Sequence, residues 1–308
     1  MATGSATVTS TVAVLKRGPE ADHVESAAVA EPDIVLDDSE LAEPVPYFNR
    51  DERRFVPTEV GRGGWGPSLS GHVVGGLLGW AVERAADDLE LQPARLTVDL
   101  PRPTALEPIE ITTRVLQDRR RLRLIEAVLT QHGAPVAQAS ALFVRRGPQP
   151  DGRTWSPPVQ MPPLPDGGGH PTFFMRTYGW GVGVQNPDPD WADMSGPKYT
   201  WLHETRPLID DEPLTAFTRA AMAGDLTASI ANWGSNGLQF INVDYTLTLG
   251  RLPEGHHIGL ASLTHYSQDG VATGSAVLVD RQGPIGSGVS VAVAHSGFRP
   301  STVDPTAG

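Results

Sequence analysis

One pattern occurs twice in this chain: an apolar helix followed by a run of alternating strands. It narrows the possible folds more than any other feature. In the first copy, Tyr47 to Val60 reads as an opening strand interrupted near Pro57, followed by the glycine loop GRGGWGPSLSG. A helix is expected from about Ser70 to Ala86, with Val73, Val74, Leu77, Leu78 and Ala81 on its inner side and Ser70 or Ser68 as its cap. The strands ARLTVDL, IEITTRVLQ, LRLIEAVLT and PVAQASALFVRR follow, with clear alternation in Arg121 to Leu129 and Val136 to Val144. In the second copy KYTWLHETRPL reads as a strand. Pro213 then opens a helix from Leu214 to about Ala231, with Asp210-Asp211-Glu212 at its positive end. LQFINVDYTLTL, HHIGLASLTHYS, GVATGSAVLVD and IGSGVSVAVAHS supply its strands.

The copies can be aligned by counting. Val98-Asp99 matches Val243-Asp244, Gln117-Asp118 matches Gln268-Asp269, and the turn at Gly133 matches that at Gly283, at offsets of 145, 151 and 150. The repeat is far too long for a solenoid. The expected class is α+β: two tandem units, each a helix wrapped by a curved antiparallel sheet, joined edge to edge so that strand edges are covered.

Composition sets the boundaries. The first 45 residues hold nine acids against Lys16 and Arg17, part of a net charge of -12 over 308 residues. Residues 1–44 are expected to be a disordered acidic tail, 45–146 the first unit, 147–171 a Pro/Gly-rich linker, 172–297 the second unit and 298–308 a short tail. There is no cysteine, hence no disulfide, thiolate site or cysteine nucleophile. No apolar run is long enough to span a bilayer and no secretory leader pattern is present, so a cytoplasmic location is the default. Nucleic acid is not expected as a partner. The cluster Arg119-Arg120-Arg121 with Arg123 has two readings: the solvated face of a strand, or a phosphate site for a nucleotide-bearing substrate.

The differences between the copies point to a site. Asp225 lies on the small-residue face of the second helix, within about 40° of Leu214, Thr218 and Ala221 on a helical wheel. The matching position in the first copy is Trp80, and the nearest acid there, Glu83, is placed on the outer side beside Arg84. A carboxylate on a buried face is costly without a task, and burial raises its pKa into the range useful for a general base. The plain alternative is an aspartate bonded to a nearby Ser or Thr, or exposed on a rotated helix. Backbone N–H groups of Gly71, His72 and Val73, at the start of the first helix, are candidate donors to a developing oxyanion; a tight turn is the alternative. No metal-ligand spacing, GxSxG elbow, P-loop or dinucleotide fingerprint is present. The segment Phe173 to Ser195 reads as a flap.

SGHVVGGLL (70–78), AMAGDL (221–226), INVDYTL (241–247) and DRQGPIGSG (280–288) resemble the acyl-CoA thioesterase II type, a double-hotdog family. LPRP (100–103) and the stretch 116–143 also fit its first unit. The resemblance implies hydrolysis of acyl-CoA to free acid and CoA with no cofactor or metal, and a possible homo-oligomer. It implies that Asp225 orients or activates the attacking water. The family's threonine is matched here by Asn242, and its glutamine by Arg281 or, one residue along, by Gln282, while Gln268 in Gln268-Asp269-Gly270 falls one strand too early. The implied catalytic set is therefore Asp225, Asn242 and Gln282, with Gly71, His72 and Val73 at the substrate. Because two of the three family residues are changed, a non-catalytic acyl-CoA or lipid-binding module is the alternative. A hotdog dehydratase would need a histidine paired with an acid, for which His72 is the one candidate.

Overall fold

The computed structural model describes residues 44–156, 158–159, 161–164, 173–178 (as backbone) and 196–299; the expected N-terminal tail and most of the flap lie outside the described residues. The first copy contains the hairpin β1 (Phe48–Asp51) and β2 (Arg54–Pro57), helix α1 (Gly71–Ala86), and strands β3 (Leu91–Asp99), β4 (Ile109–Arg119), β5 (Leu122–Gln131) and β6 (Ala134–Arg145). The second contains β7 (Phe173–Tyr178), β8 (Tyr199–Glu204), α2 (Ala216–Asn232), the small ladder β9 (Trp233–Gly234) with β10 (Gly237–Leu238), then β11 (Phe240–Asn242), β12 (Asp244–Leu249), β13 (His257–Gln268), β14 (Val271–Asp280) and β15 (Gly283–Ala294). The main strands form one antiparallel sheet in the order β1-β2-β4-β5-β6-β3-β12-β15-β14-β13-β8-β7, and β11 also pairs with β15. Among the described residues no helix is long and apolar enough to cross a membrane.

The copies join between β3 and β12. Asp99 lies opposite Asp244, and these are the same residues that the sequence repeat equates. A local pseudo-twofold axis therefore passes through the junction. Thr97 and Thr246 share a hydroxyl hydrogen bond of 3.0 Å there. The two aspartates are kept apart energetically by separate donors: Gln138 Nε2 to Asp99 at 2.9 Å, and Val291 N to Asp244 at 2.6 Å.

Both helices lie on the same side of this sheet and share one core, which runs from Val73, Leu77 and Leu78 through Phe143 and Phe217 to Tyr245 and Leu260. The second helix begins two residues later than expected, because Thr215 accepts the Thr218 N–H at 2.9 Å and caps it. Glu83 is not on a free outer side. Its carboxylate accepts the Thr215 hydroxyl at 2.6 Å, since antiparallel helices bring the end of α1 to the start of α2. The acidic run before α2 is likewise spent on the first copy: Glu212 accepts Trp80 Nε1 at 2.7 Å and pairs with Arg50 at 2.8 Å. The described part of the linker is seated on the outer sheet face, where Pro162 O accepts Trp201 Nε1 at 2.8 Å.

Glycine makes the helix contact close. A Cβ on Gly79 would stand 2.6 Å from Ala221 Cβ, a distance no two carbons tolerate. Gly79→Val is expected to force the helices apart and destabilise the fold by about 1–3 kcal/mol, the scale of core overpacking. A lower urea midpoint at unchanged slope checks this.

Candidate functional site

Asp225 is held by the packing of α2. The small residues Ala221, Gly224 and Ala228 let α2 sit against β12, and Tyr245 donates its hydroxyl to Ala221 O at 2.8 Å, fixing the helix over the sheet. Asp225 is then turned toward the start of α1 and is 8% exposed. Gly71 meets it there: a Cβ on Gly71 would lie 2.5 Å from Asp225 Oδ1. Asn242 Nδ2 donates to the same Oδ1 at 2.8 Å. Burial raises the carboxyl to about 6, and the Asn242 hydrogen bond only partly opposes this.

Asn242 reaches Asp225 because the strand expected over 238–249 is broken at Val243. Asp244 Oδ1 takes the Val291 N–H, replacing a main-chain acceptor in the ladder, and β11 and β12 meet β15 on either side of the break. This kink angles the end of β11 toward the helices.

The start of α1 offers free donors. Ser70 is its N-cap by backbone geometry, yet the Ser70 hydroxyl bonds His72 Nδ1 at 2.6 Å instead of capping the helix. Ser70 O accepts from both Val73 N and Val74 N at 3.1 Å. The expected donor Val73 is therefore already used and is fully buried. The N–H groups of Gly71 and His72 have no acceptor among the described residues, leaving two donors at the positive end of the helix.

Two cavities meet at Trp65, Gly71 and Asn242. One, of about 250 Å³, holds Asp225 and has apolar walls from Leu226, Ile230, Trp233 and Phe298. The other, of about 280 Å³, runs between the loop 100–104 and Ile241–Val243, with Arg102 and His295 on its sides. Arg102 has no hydrogen-bond or ion-pair partner among the described residues. Phe298, the first residue of the expected short tail, packs on the site. Its ring lies 5.0 Å from Trp65 and 5.7 Å from Trp233, and Arg299 N bonds Gly64 O at 2.7 Å. Arg62, Ser229 and Phe298 line the cavity and were not singled out by sequence. Only the three-dimensional approach of Phe298 and Arg299 to the glycine loop identifies Phe298.

Gln282 does not join this site. It sits in the turn between β14 and β15, bonded to Glu254 and through its N–H to Asp280 at 2.8 Å. Asn242 lies opposite Ala292, nine residues along β15 from Gly283, which is about 30 Å of strand. Gln268 is at the correct end of the sheet, since Val271 lies opposite Val293, but its amide bonds the exposed Asp269 at 3.2 Å. The inward residues of β15 beside Asn242 are Ala292 and Ser290, and the buried Ser290 hydroxyl has no hydrogen-bond partner among the described residues. The arginine cluster is also elsewhere. Arg119–Arg121 are exposed at the end of β4 and in the β4–β5 turn, and Arg123 donates to Ala86 O at the end of α1. Burial drives the His72 imidazole down to about 4, and its ring partners are Ser70 and Tyr47, so it has no carboxylate of the kind a dehydratase pair requires.

Residues 62–144 match a family model described as acyl-CoA thioesterase N-terminal domain, and residues 158–294 match one described as acyl-CoA thioesterase C-terminal domain. Among solved structures, a tesB protein of Mycobacterium avium subsp. paratuberculosis is 15% identical with a TM-score of 0.57, covering 80% of this chain and 93% of its own. An acyl-CoA thioesterase II from Mycobacterium marinum is 18% identical at TM-score 0.55, covering 81% and 95%. A hot dog fold protein of Alicyclobacillus acidocaldarius is 15% identical at 0.57, covering 81% and 96%. At these identities the likeness is one of fold, the double hotdog. No curated protein sequence matches the chain.

Asp225 has a higher pKa folded than unfolded. Between 3.8 and about 6 the folded state holds more protons than the unfolded one, so stability falls as pH rises through that window and is flat above it. Asp225→Asn is expected to abolish this slope and to raise stability at neutral pH by on the order of 2 kcal/mol. Denaturant titrations of both proteins from acid to neutral pH check the sign.

Proposed function

The chain belongs to the acyl-CoA thioesterase family, and we propose that it hydrolyses its thioester with water activated at Asp225. The observation that carries this reading is a buried carboxylate of raised pKa that lines a cavity together with Gly71, at the helix end where the N–H groups of Gly71 and His72 are unused among the described residues. Asn242 occupies Oδ1 of the carboxylate, so Oδ2 is left to accept the proton of a water, and Asn242 Oδ1 can accept from the same water. The attacked carbonyl oxygen becomes negative, and the N–H groups of Gly71 and His72 stabilise it where water is excluded. Collapse of the tetrahedral species expels the thiolate, which recovers the proton from Asp225.

The cavity walled by Leu226, Ile230 and Trp233 suits an acyl chain. The neighbouring one suits the carrier arm, with Arg102 positioned for its phosphates. Gly71 and Asn242 border both cavities, which supports a thioester bound at their junction. A non-catalytic acyl-CoA module remains a second reading, favoured by the apolar Ala292 opposite Asn242, which offers no polar group to a water.

Thiol release from acyl-CoAs of increasing chain length separates the two readings. Asp225→Asn is expected to lower kcat by about two to four orders of magnitude, the scale of a lost general base. Stoichiometric binding with no thiol release by wild type would leave the binding module. In active wild type, kcat/KM should fall as pH drops below about 6, where Asp225 becomes protonated and cannot accept the water's proton. A pH–rate profile with no acid limb there would remove Asp225 as the base.

A further inference from the structure

A line of polar side chains runs from the cavity into the protein beside the proposed base. Ser70 lines the Asp225 cavity, and its Oγ bonds His72 Nδ1 at 2.6 Å. His72 Nε2 faces the Tyr47 hydroxyl at 3.5 Å, a long contact, with the two rings edge to face at 5.6 Å. Tyr47 donates to Glu204 Oε2 at 2.7 Å. Tyr47 and Glu204 are buried and belong to segments 157 residues apart. None of these side chains is used by the proposed hydrolysis. The Ser70 hydroxyl is diverted from the capping role its position would ordinarily give it, toward this line.

The directions of the bonds are determined by the far end. With Glu204 ionised, the Tyr47 proton points to Glu204, so Tyr47 oxygen accepts from His72 Nε2–H, and the bare Nδ1 accepts from Ser70. One proton entering from the cavity at Ser70 oxygen displaces the Ser70 proton to Nδ1, the Nε2 proton to Tyr47, and the Tyr47 proton to Glu204. The line ends with Glu204 neutral and every bond reversed, with no other change of atoms. Thioester hydrolysis at neutral pH yields a carboxylate, a thiol and one free proton. We propose that Ser70, His72, Tyr47 and Glu204 form a proton wire that removes this proton from the cavity to Glu204. This role in turnover rests on the hydrolytic reading above.

The surroundings suit Glu204 as the terminus. Burial pushes its carboxyl up to about 7 despite the hydrogen bonds from Tyr47 and Arg206 N–H and the nearby charges of Arg206 and Arg219. Arg206 N–H bonds Oε1 at 2.9 Å, leaving Oε2 to carry the proton, and the Arg219 guanidinium is spent on Glu204's main-chain oxygen. Tyr47 is raised well above its usual value and His72 is lowered to about 4, so neither stores charge at neutral pH. Glu204 also borders a small cleft with Arg219, Leu226 and the exposed His256, which gives the proton a way out.

The test has one arm that does not need turnover. In the full chain with nitrogen-15 histidine, the His72 resonances being identified by their loss in His72→Gln, the ring is expected to be Nε2–H above neutral pH. It should change to Nδ1–H as Glu204 is protonated, with a midpoint near 7. In Tyr47→Phe, which keeps the ring packing, the tautomer should no longer follow pH. Glu204→Gln, which cannot titrate, should also hold it fixed and decides the matter if Tyr47→Phe fails to fold. A wild-type tautomer that is constant with pH, or a switch that survives both substitutions, overturns the wire. In the kinetic arm both variants should lower kcat by about the same factor, three- to tenfold, at unchanged KM, and the double variant no further, as for groups acting in one unit. Unchanged kcat or additive losses in folded variants would overturn its role in turnover. Absence of thiol release by wild type would count against the hydrolytic reading and leave the tautomer result to judge the wire.

Discussion

The close antiparallel contact of α1 and α2 is the constraint on which the rest of the molecule depends. It is made by glycines, which allow a Cβ-free approach at Gly71 and Gly79, and it is locked at one end by Glu83 accepting the Thr215 hydroxyl and Glu212 accepting the Trp80 indole. At the other end the same approach puts the unused N–H groups of α1 beside the one carboxylate on the buried face of α2. A helix N-terminus and a carboxylate attract each other. Here they are held so that neither satisfies the other completely, because Asn242 takes one carboxylate oxygen and Ser70 bonds His72 instead of the helix donors. Gly71 and Asp225 both line the cavity.

The duplication explains why there is one such site rather than two. The pseudo-twofold axis at Asp99 and Asp244 relates α1 to α2, so the first copy has a position matching Asp225. That position is Trp80, whose ring packs edge to face on Phe55 and whose N–H is bound by Glu212. The first copy thus uses the position for adhesion between the copies. The sheet surface on each side has diverged too. On β4 and β5 it carries ion pairs such as Arg114 with Glu126, whereas β14 and β15 present Val271, Val289, Val291 and Val293.

What could be read from sequence follows the range of the interactions involved. Asp225 was legible because a helical wheel needs only local spacing, and the wheel placed it among small residues that prove to be buried. Asn242 was reached through motif resemblance, and its bond to Asp225 agrees with that placement. Gln282 failed because the end of the sheet to which a turn belongs is set by strand pairing. Counting along the repeat cannot distinguish one turn from another when a bulge or loop intervenes. Glu83 was assigned to the outside because a wheel for one helix contains no second helix. The Tyr47–Glu204 bond and the Phe298 contact join segments far apart in the chain, and no local pattern announces either.

The cost of burying Asp225 gives independent weight to its having a task. A pKa moved from 3.8 to about 6 corresponds to a few kcal/mol by which the folded state disfavours the charged form, a large share of a typical domain's net stability. Among the described residues one side-chain hydrogen bond offsets it, and an apolar or amide residue of similar size would remove the penalty. Glu204 is a second buried carboxyl with raised pKa, but it is surrounded differently, by a tyrosine, a main-chain N–H and two arginines. Two such costs on either side of α1's first turn, joined by Ser70 and His72, are hard to account for by packing alone. Asp280, another buried carboxylate, is instead held by Arg251 and two main-chain N–H groups, which keep its pKa low despite burial. The contrast sets a carboxylate whose charge its surroundings favour apart from the two that we propose take part in proton transfer.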